Sequence, residues 1–214
     1  MHYPKLGIAS EGLPFIILSG VSALVFSGLG WSVLAIFALI LCWYSAFFFR
    51  DPERITPQGL GLAVSPADGK IIRIEKRSDP ISNENMTCVS IFMSLFNVHV
   101  NRSPITSTVK DIRYINGKFF NASFDKSSKD NERCIYSLMD DSGVSCTMVQ
   151  IAGLIARRIV CNVKKGDKLQ IGQRYGMIRF GSCLEVYFPD TYSIKVHVGD
   201  RVTAGESIIA SIHK

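Results

Sequence analysis

The chain has 214 residues, 47% of them hydrophobic and 20% charged, with a formal net charge of +6 and a mean hydropathy of +0.21. Such a length holds one well-packed domain and something extra, and the hydropathy argues against a wholly soluble protein. Six cysteines, at 42, 88, 134, 146, 161 and 183, make no CxxC pair and no metal-ligand spacing with the four histidines. This pattern predicts reduced thiols in a cytoplasmic compartment and no metal site.

The apolar excess is concentrated near the beginning. No charged residue occurs from Leu13 to Phe49, and Arg50-Asp51-Pro52 closes the run. Secretory signals have apolar cores of roughly 7–15 residues, so the stretch reads as a retained membrane anchor over residues 1–50. Its 37 residues exceed the ~20 of one helical span and fall short of two comfortable ones. Gly28-Leu29-Gly30 divides it. Trp31 to Phe49 is long enough for a crossing helix of about 28 Å, while Leu13 to Ser27, which contains Pro14, is a second tilted span or a re-entrant piece. If both halves cross, the N-terminus and the globular part share a side. Arg50 and Arg54 predict the cytoplasmic face of the inner membrane, with an attraction to anionic headgroups.

Residues 51–61, with Pro52, Pro57, Gly59 and Gly61, read as a linker, and a β domain is predicted over 62–214. Within it, Val64 to Lys70 turns the chain at Asp68-Gly69. Ile71 to Glu75 alternates as a strand, Thr87 to Leu95 reads as a buried strand, and the stretch from Phe96 to Pro104 embeds His99 among apolar neighbours. The polar residues from Phe119 to Arg133 are too many for a plain hairpin and form a candidate binding loop. Cys134 to Met139 and Ser145 to Val163 return to strand patterns. No long helical periodicity follows residue 50, so the fold class is mainly β.

The last third contains an echo. Val163-x-x-Gly166-Asp167-x-Leu169-x-x-Gly172 matches Val196-x-x-Gly199-Asp200-x-Val202-x-x-Gly205, 33 residues later. Two copies are too few for a solenoid. They fit a pseudo-symmetric C-terminal β unit that resembles the hammerhead, or barrel-sandwich, fold of biotinyl and lipoyl domains. Between the copies, Ile178, Phe180, Leu184, Val186 and Phe188 alternate as one strand interrupted by Gly181-Ser182. Glycine inside a strand weakens it and marks a bulge or a close approach of other groups.

A Gly-Ser bond beside a base has a further chemistry open to it. The hydroxyl attacks the preceding carbonyl and turns the amide into an ester; β-elimination then leaves dehydroalanine, which hydrolyses to a pyruvoyl group. Gly181 suits the first step because it leaves that carbonyl open. The serine needs a base, and the base an orienting carboxylate. Ser182, His99 and Asp68 are the economical set, with His197 the rival base.

Several segments together resemble the short bacterial form of the phosphatidylserine decarboxylase proenzymes: Phe49-Arg-Asp-Pro52, Ser65-Pro-Ala-Asp-Gly69, Phe96-Asn-Val-His-Val-Asn-Arg-Ser-Pro104, Gln150-Ile-Ala-Gly153 and Arg179-Phe-Gly-Ser182. They lie in the family's order from the membrane segment to the end of the chain. The resemblance implies self-cleavage between Gly181 and Ser182 into a β chain (1–181) and an α chain (182–214), paired as a heterodimer and compatible with a higher homo-oligomer. It also implies a covalent pyruvoyl cofactor at residue 182, processing by Asp68 and His99, and decarboxylation of phosphatidylserine through a Schiff base to phosphatidylethanolamine. His99 is the expected acid that reprotonates the product. Arg102 or the pair Arg157-Arg158 are candidate donors to the headgroup phosphate. The longer branch of the family has a second histidine three residues before the processing one; here that position is Phe96.

A non-enzymatic alternative is a membrane-anchored hammerhead adaptor or a biotin or lipoate carrier. Adaptors of that kind insert a coiled-coil hairpin, and no heptad is kept here; carriers need a lysine at the hairpin tip, where this chain has Gly181-Ser182. An esterase would need Gly-x-Ser-x-Gly, which the residues around Ser182 do not supply. Nucleic acid is not among the expected partners.

Overall fold

The computed structural model describes residues 7–117, 131–153, 158–179 and 182–212. They fall into two compact units, Met1–Glu53 and Arg54–Lys214.

The first unit is a helical hairpin. Pro14 lies in the first turn of α1 (Leu13–Gly28), where its missing N–H costs no hydrogen bond. Gly30, at φ +75°, turns the chain into α2 (Ser32–Phe48). The division at residues 28–30 is therefore as expected, and the two helices of 16 and 17 residues are about 24 and 26 Å long. Ala23, Ala35 and Ala38 are buried between them, whereas Leu18, Leu24, Val33 and Trp43 are each more than two-thirds exposed. Small residues inside and large apolar ones outside suit a lipid environment. By length and hydropathy, Ser10–Gly28 qualifies as a membrane span. Ala9 donates its N–H to the Phe49 carbonyl and Asp51 to that of Gly7, so the chain enters and leaves the hairpin at the same end.

The second unit is mainly β. Its strands are β1 (Leu62–Val64), β2 (Gly69–Ser78), β3 (Asn85–Met93), β4 (Val100–Arg102), β5 (Ser107–Ile115), β6 (Arg133–Met139), β7 (Ser145–Ala152), β8 (Ile159–Cys161), β9 (Lys168–Leu169), β10 (Arg174–Ile178), β11 (Ser182–Phe188), β12 (Tyr192–Ile194), β13 (Arg201–Val202) and β14 (Ile208–Ile212). An eight-stranded sheet in the order β13-β2-β3-β11-β7-β6-β5-β9 curls into a half-barrel. Two three-stranded sheets, β1-β14-β12 and β4-β10-β8, accompany it. Leu184, Val186 and Phe188 of β11 enter the main core, while Cys183 and Tyr187 face a second apolar cluster. Burial on both faces makes β11 the central strand of the domain.

The single strand expected across Gly181-Ser182 is in fact two. β10 ends at Ile178 in a small sheet, and β11 begins at Ser182 in the large one. Apolar alternation continues because both segments line the same core, but their hydrogen-bonding partners change between them.

The echo seen in the last third extends through the whole domain. Lys70 pairs with Phe92 where Thr108 pairs with Met139, and both β2 and β5 carry a bulge one residue later, after Ile71 and Val109. The edge strands β13 and β9 pair with the starts of β2 and β5. Ser65 Oγ donates to the Ala67 carbonyl at 2.7 Å and Ser103 Oγ to that of Ile105 at 2.8 Å. Gly205 and Gly172, both at φ +76°, donate to the Ser65 and Ser103 carbonyls. The domain is thus two similar halves related by a pseudo-twofold axis, with β11 against β7 at their junction. Matching the pairings sets His99 against Gly61, Asp68 against Thr106, and Ser182 against Val144.

Candidate active site

Ser182 is the first residue of β11 and pairs with Met93 on one side and Ala152 on the other. Strand alternation turns its hydroxyl to the face that carries Leu184 and Val186, toward the main core. The residue is fully buried, and its Oγ has no hydrogen-bond partner among the described residues. An unsatisfied buried hydroxyl costs about 1–3 kcal/mol, so its presence calls for a chemical reason. Cys183 points to the opposite face. Burial, then the Glu185 carboxylate, pushes its thiol well up, which keeps it protonated and poor as a nucleophile.

A buried polar chain runs beside Ser182. Tyr136 Oη donates to Gln150 Oε1 at 2.6 Å, Gln150 Nε2 to Asn101 Oδ1 at 2.8 Å, and Asn101 Nδ2 reaches Met93 Sδ at 3.7 Å. Burial raises the Tyr136 phenol well above its usual value, so it stays a donor. The chain ties β4 to β7 and to β3, the two strands that hold Ser182. Gly176 is required under it: a Cβ there would lie 2.4 Å from the Val160 carbonyl oxygen.

His99 immediately precedes β4 and is fully buried. Its carbonyl accepts from the Ile178 N–H, so it belongs to the same small sheet. Nδ1 lies 2.9 Å from the Asn97 carbonyl. A carbonyl only accepts, so Nδ1 carries a proton; when the ring is neutral, Nε2 then holds the lone pair that a base needs.

Asp68 ends the turn into β2. Gly69 follows Met93 and Ser182 in one row of the large sheet, two strand spacings, or about 9.5 Å, from β11. A side chain at 69 would meet the Phe92 carbonyl oxygen at 2.3 Å, which explains the glycine. The Asp68 carboxylate accepts from Arg54 Nη2 at 3.0 Å and from the Ala204 N–H at 2.8 Å. The bond to His99 expected of a Ser-His-Asp relay is not among its contacts; the Asn97 carbonyl takes that place at the ring. Sequence reasoning missed Arg54, which it used as a topology signal; Arg54 also meets Glu206 at 3.3 Å.

The remaining candidates separate. His197 is exposed and 3.7 Å from Asp200, on the turn that leads into β13. Arg102 is buried and donates to the Gly172 carbonyl at 3.0 Å, which ties it to a turn of the scaffold. Arg158 is exposed, and its carbonyl accepts from the Arg179 N–H. Gly181, Arg157 and most of the candidate loop 119–133 lie outside the described residues.

Comparison with known proteins decides the family. Residues 43–210 match the family model described as phosphatidylserine decarboxylase. The chain belongs to the phosphatidylserine decarboxylase family. It is 56% identical over 210 residues to a phosphatidylserine decarboxylase proenzyme of Nitratidesulfovibrio vulgaris, covering 98% of this chain and 97% of that one. Identity to proteins of the same name is 53% in Oleidesulfovibrio alaskensis, covering 95% and 94%, and 43% in Geobacter sulfurreducens, covering 98% of each. Membership of this decarboxylase family goes against the adaptor and carrier alternatives. The candidate residues come from both repeats of the scaffold: Asp68 and Ser182 from the one that holds β1–β3 and β11–β14, where Gly61 stands in the place of His99, and His99 from β4–β10, where Thr106 and Val144 stand in the places of Asp68 and Ser182.

Proposed function

We propose that this chain is a proenzyme that cuts itself between Gly181 and Ser182 and then decarboxylates phosphatidylserine to phosphatidylethanolamine with a pyruvoyl group formed from Ser182. Family membership and the proenzyme name of its relatives support the reading. The observation that carries it is the buried Ser182 Oγ, which has no hydrogen-bond partner among the described residues.

In the first step His99 Nε2 takes the hydroxyl proton and Ser182 Oγ attacks the Gly181 carbonyl carbon. The C–N bond gives way to a C–O bond, and the amide becomes an ester. Removal of the Ser182 α-proton then expels residues 1–181 as a carboxylate. Hydrolysis of the dehydroalanine left at 182 releases ammonia. Asp68, held by Arg54 and Ala204, supplies a fixed negative charge at the end of the row that carries Ser182, which favours a protonated imidazole during transfer.

The pyruvoyl group, once formed, supplies a ketone for the substrate amine and an electron sink for the departing carbon dioxide. His99 then returns a proton to the substrate α-carbon. Among the arginines, Arg158 is the described candidate for the headgroup phosphate. The hairpin holds the enzyme at the inner membrane with the β domain on the cytoplasmic face, where a lipid substrate is available.

Mass spectrometry of the purified chain tests this. The expected result is two fragments, 1–181 and 182–214, the smaller lighter by one ammonia than a serine-headed peptide. His99→Ala is expected to stay intact. A preparation that decarboxylates phosphatidylserine as an uncut chain would overturn the proposal.

A further inference from the structure

Across the pseudo-twofold axis from the candidate active site lies a second cavity, of about 280 Å³, lined by Gly61, Leu62, Ile105, Thr106, Asp140 and Tyr192. It is the mate of the first site. Gly61 stands for His99 and Thr106 for Asp68, while Asp140 stands for Met93, the partner of Ser182, and Tyr192 for Ile159. The fold that shapes one pocket therefore shapes the other, without the residues of self-cleavage. In their absence the second pocket has gained polar groups: a carboxylate where the first has a thioether, and a phenol where the first has an isoleucine. Since the scaffold accepts apolar side chains at both points, it requires neither polar one.

These groups are not used up by the fold. Tyr192 is 6% exposed, and its hydroxyl makes no hydrogen bond among the described residues. Burial raises its pKa, so it stays a donor. Ser107, which stands opposite Asp140 one step beyond the Thr108–Met139 pair, is buried with its Oγ likewise without a partner among the described residues. Buried polar groups without partners cost stability, and two of them gather at one cavity. Asp140 closes the β6–β7 turn through Oδ1, which accepts from the Ser142 N–H at 2.9 Å, the Ser142 Oγ at 2.7 Å and the Val144 N–H at 2.8 Å. An asparagine would serve that turn as well, so the charge is extra, and Asp141, also on the cavity, adds a second one.

Two carboxylates beside a donating phenol suit a cation that also carries an oxygen. Apolar Leu62 and Ile105 around them favour an organic ammonium over a metal ion, which needs more oxygen ligands than the cavity offers. The volume falls just under the roughly 300–1,000 Å³ of small-molecule sites, enough for a headgroup and not for a whole lipid. We propose that this pocket binds an ethanolamine group, with its ammonium on Asp140 and Asp141 and its oxygen on the Tyr192 hydroxyl. Serine differs by a carboxylate on the carbon that bears the ammonium. The two aspartates repel it, so the pocket selects the headgroup that decarboxylation makes over the one it consumes. The inference rests on the decarboxylase reading for the source of that headgroup, and its test reads binding without turnover.

The test uses the full-length chain with Ser182→Ala, which removes the pyruvoyl precursor so that no amine is held as a Schiff base, and with 3-fluorotyrosine at position 192 as a local reporter. In phosphatidylcholine nanodiscs, glycerophosphoethanolamine is expected to shift the fluorine resonance saturably, at a concentration roughly tenfold below that needed with glycerophosphoserine. A second arm builds phosphatidylethanolamine into the disc. A shift in that arm alone names the lipid headgroup as the ligand, and a shift with the free headgroup alone names a soluble amine. Asp140→Asn with Asp141→Asn keeps the oxygen that closes the turn and drops both charges; half-saturation is expected to rise at least roughly tenfold. Should the double variant fail to fold, Asp141→Asn alone, on the exposed turn, gives the same reading with a rise of roughly threefold. No shift from either source, an equal response to the serine form, or half-saturation unmoved by loss of the charges would overturn the proposal. A wild-type chain that is cut and active, with no shift in its Ser182→Ala form, would defeat this pocket alone; a shift where the wild type is never cut would defeat the decarboxylase reading alone.

Discussion

Asp68 Oδ1 and Thr106 Oγ1 occupy the same point in the two halves of the β domain. Each accepts the N–H of the residue before a glycine at φ +76°: Ala204 at 2.8 Å for Asp68, Ile171 at 3.2 Å for Thr106. A hydroxyl suffices for that structural duty, so the carboxylate at 68 exceeds what the fold requires. The excess is a negative charge, placed in the repeat that also carries Ser182.

The equivalence makes Asp68→Thr an informative substitution. The threonine keeps the Ala204 acceptor and the turn, and Arg54 keeps Glu206. The expected cost is the partly buried Arg54–Asp68 pair, on the order of 1 kcal/mol after solvent screening. The variant is expected to fold, to unfold a few degrees lower in a thermal scan, and to remain uncut on a denaturing gel. Normal cleavage in Asp68→Thr would remove the carboxylate from the mechanism.

Much of this was legible in the sequence, for reasons that differ by residue. The two Val-x-x-Gly-Asp turns stand out because a positive φ at Gly166 and Gly199 keeps the glycines in place. Their counterparts, Ser65-Pro66 and Ser103-Pro104, belong to the same duplication but are followed by Ala-Asp-Gly in one copy and Ile-Thr-Ser in the other, which hides it. Ser182, His99 and Asp68 are candidates through their motifs. Their placement was not legible, because it depends on which strands meet: β10 and β11 look continuous in pattern and lie in different sheets. Arg102, a candidate phosphate donor by its motif, is buried and donates to the Gly172 carbonyl, a tertiary contact no local pattern encodes. The Tyr136–Gln150–Asn101 chain had a faint signal, a polar residue at each of three apolar-strand positions.

That chain gives a second prediction. Gln150→Leu leaves Tyr136 Oη and Asn101 Oδ1 buried without their partner, each costing about 1–3 kcal/mol. Because the network sets β4 against the strands that hold Ser182, the loss is expected to slow self-cleavage as well as lower the urea midpoint. A stopped or time-sampled gel from a cell-free synthesis reads the first, and equilibrium unfolding of the cut protein reads the second. A destabilised variant that is cut at the normal rate would show the network to be structural alone.

A third concerns the fragments after cutting. β11 begins at Ser182, and it stays paired with β3 and β7, both of which belong to residues 1–181. Buried Glu185 accepts from Ser90 Oγ at 3.3 Å, Arg77 Nη1 at 3.2 Å and Tyr187 Oη at 2.8 Å, two of them across the cut. The fragments are expected to co-elute in mild detergent and to separate only in denaturant. Glu185→Ala leaves Arg77 and Ser90 without that acceptor, although Arg77 keeps Glu75; the expected cost is about 1–3 kcal/mol, and the small fragment is expected to leave at lower urea.

The last concerns alkaline pH. Burial, reinforced by Glu185, pushes the Cys88 thiol up to about 12. Burial likewise raises Cys146 and Cys183 above the ordinary thiol value. In the unfolded chain a thiol ionises near 8.5, so above that pH the unfolded state sheds protons that the folded state retains. The stabilising contribution is therefore complete below about pH 8.5 and is lost as pH rises toward the folded value, at up to about 1.4 kcal/mol per pH unit for each such thiol. Urea midpoints at pH 7.5, 9 and 10 are expected to fall steadily, and Cys88→Ala is expected to flatten the decline even though it lowers the starting stability. Cys161 has the opposite sign: interaction with the neighbouring Cys134 thiol holds it below the ordinary value. Peptide mapping after brief iodoacetamide treatment at neutral pH is therefore expected to find Cys161 alkylated before Cys88, Cys146 or Cys183, and early labelling of Cys183 would show that the face of β11 opposite Ser182 opens to solvent.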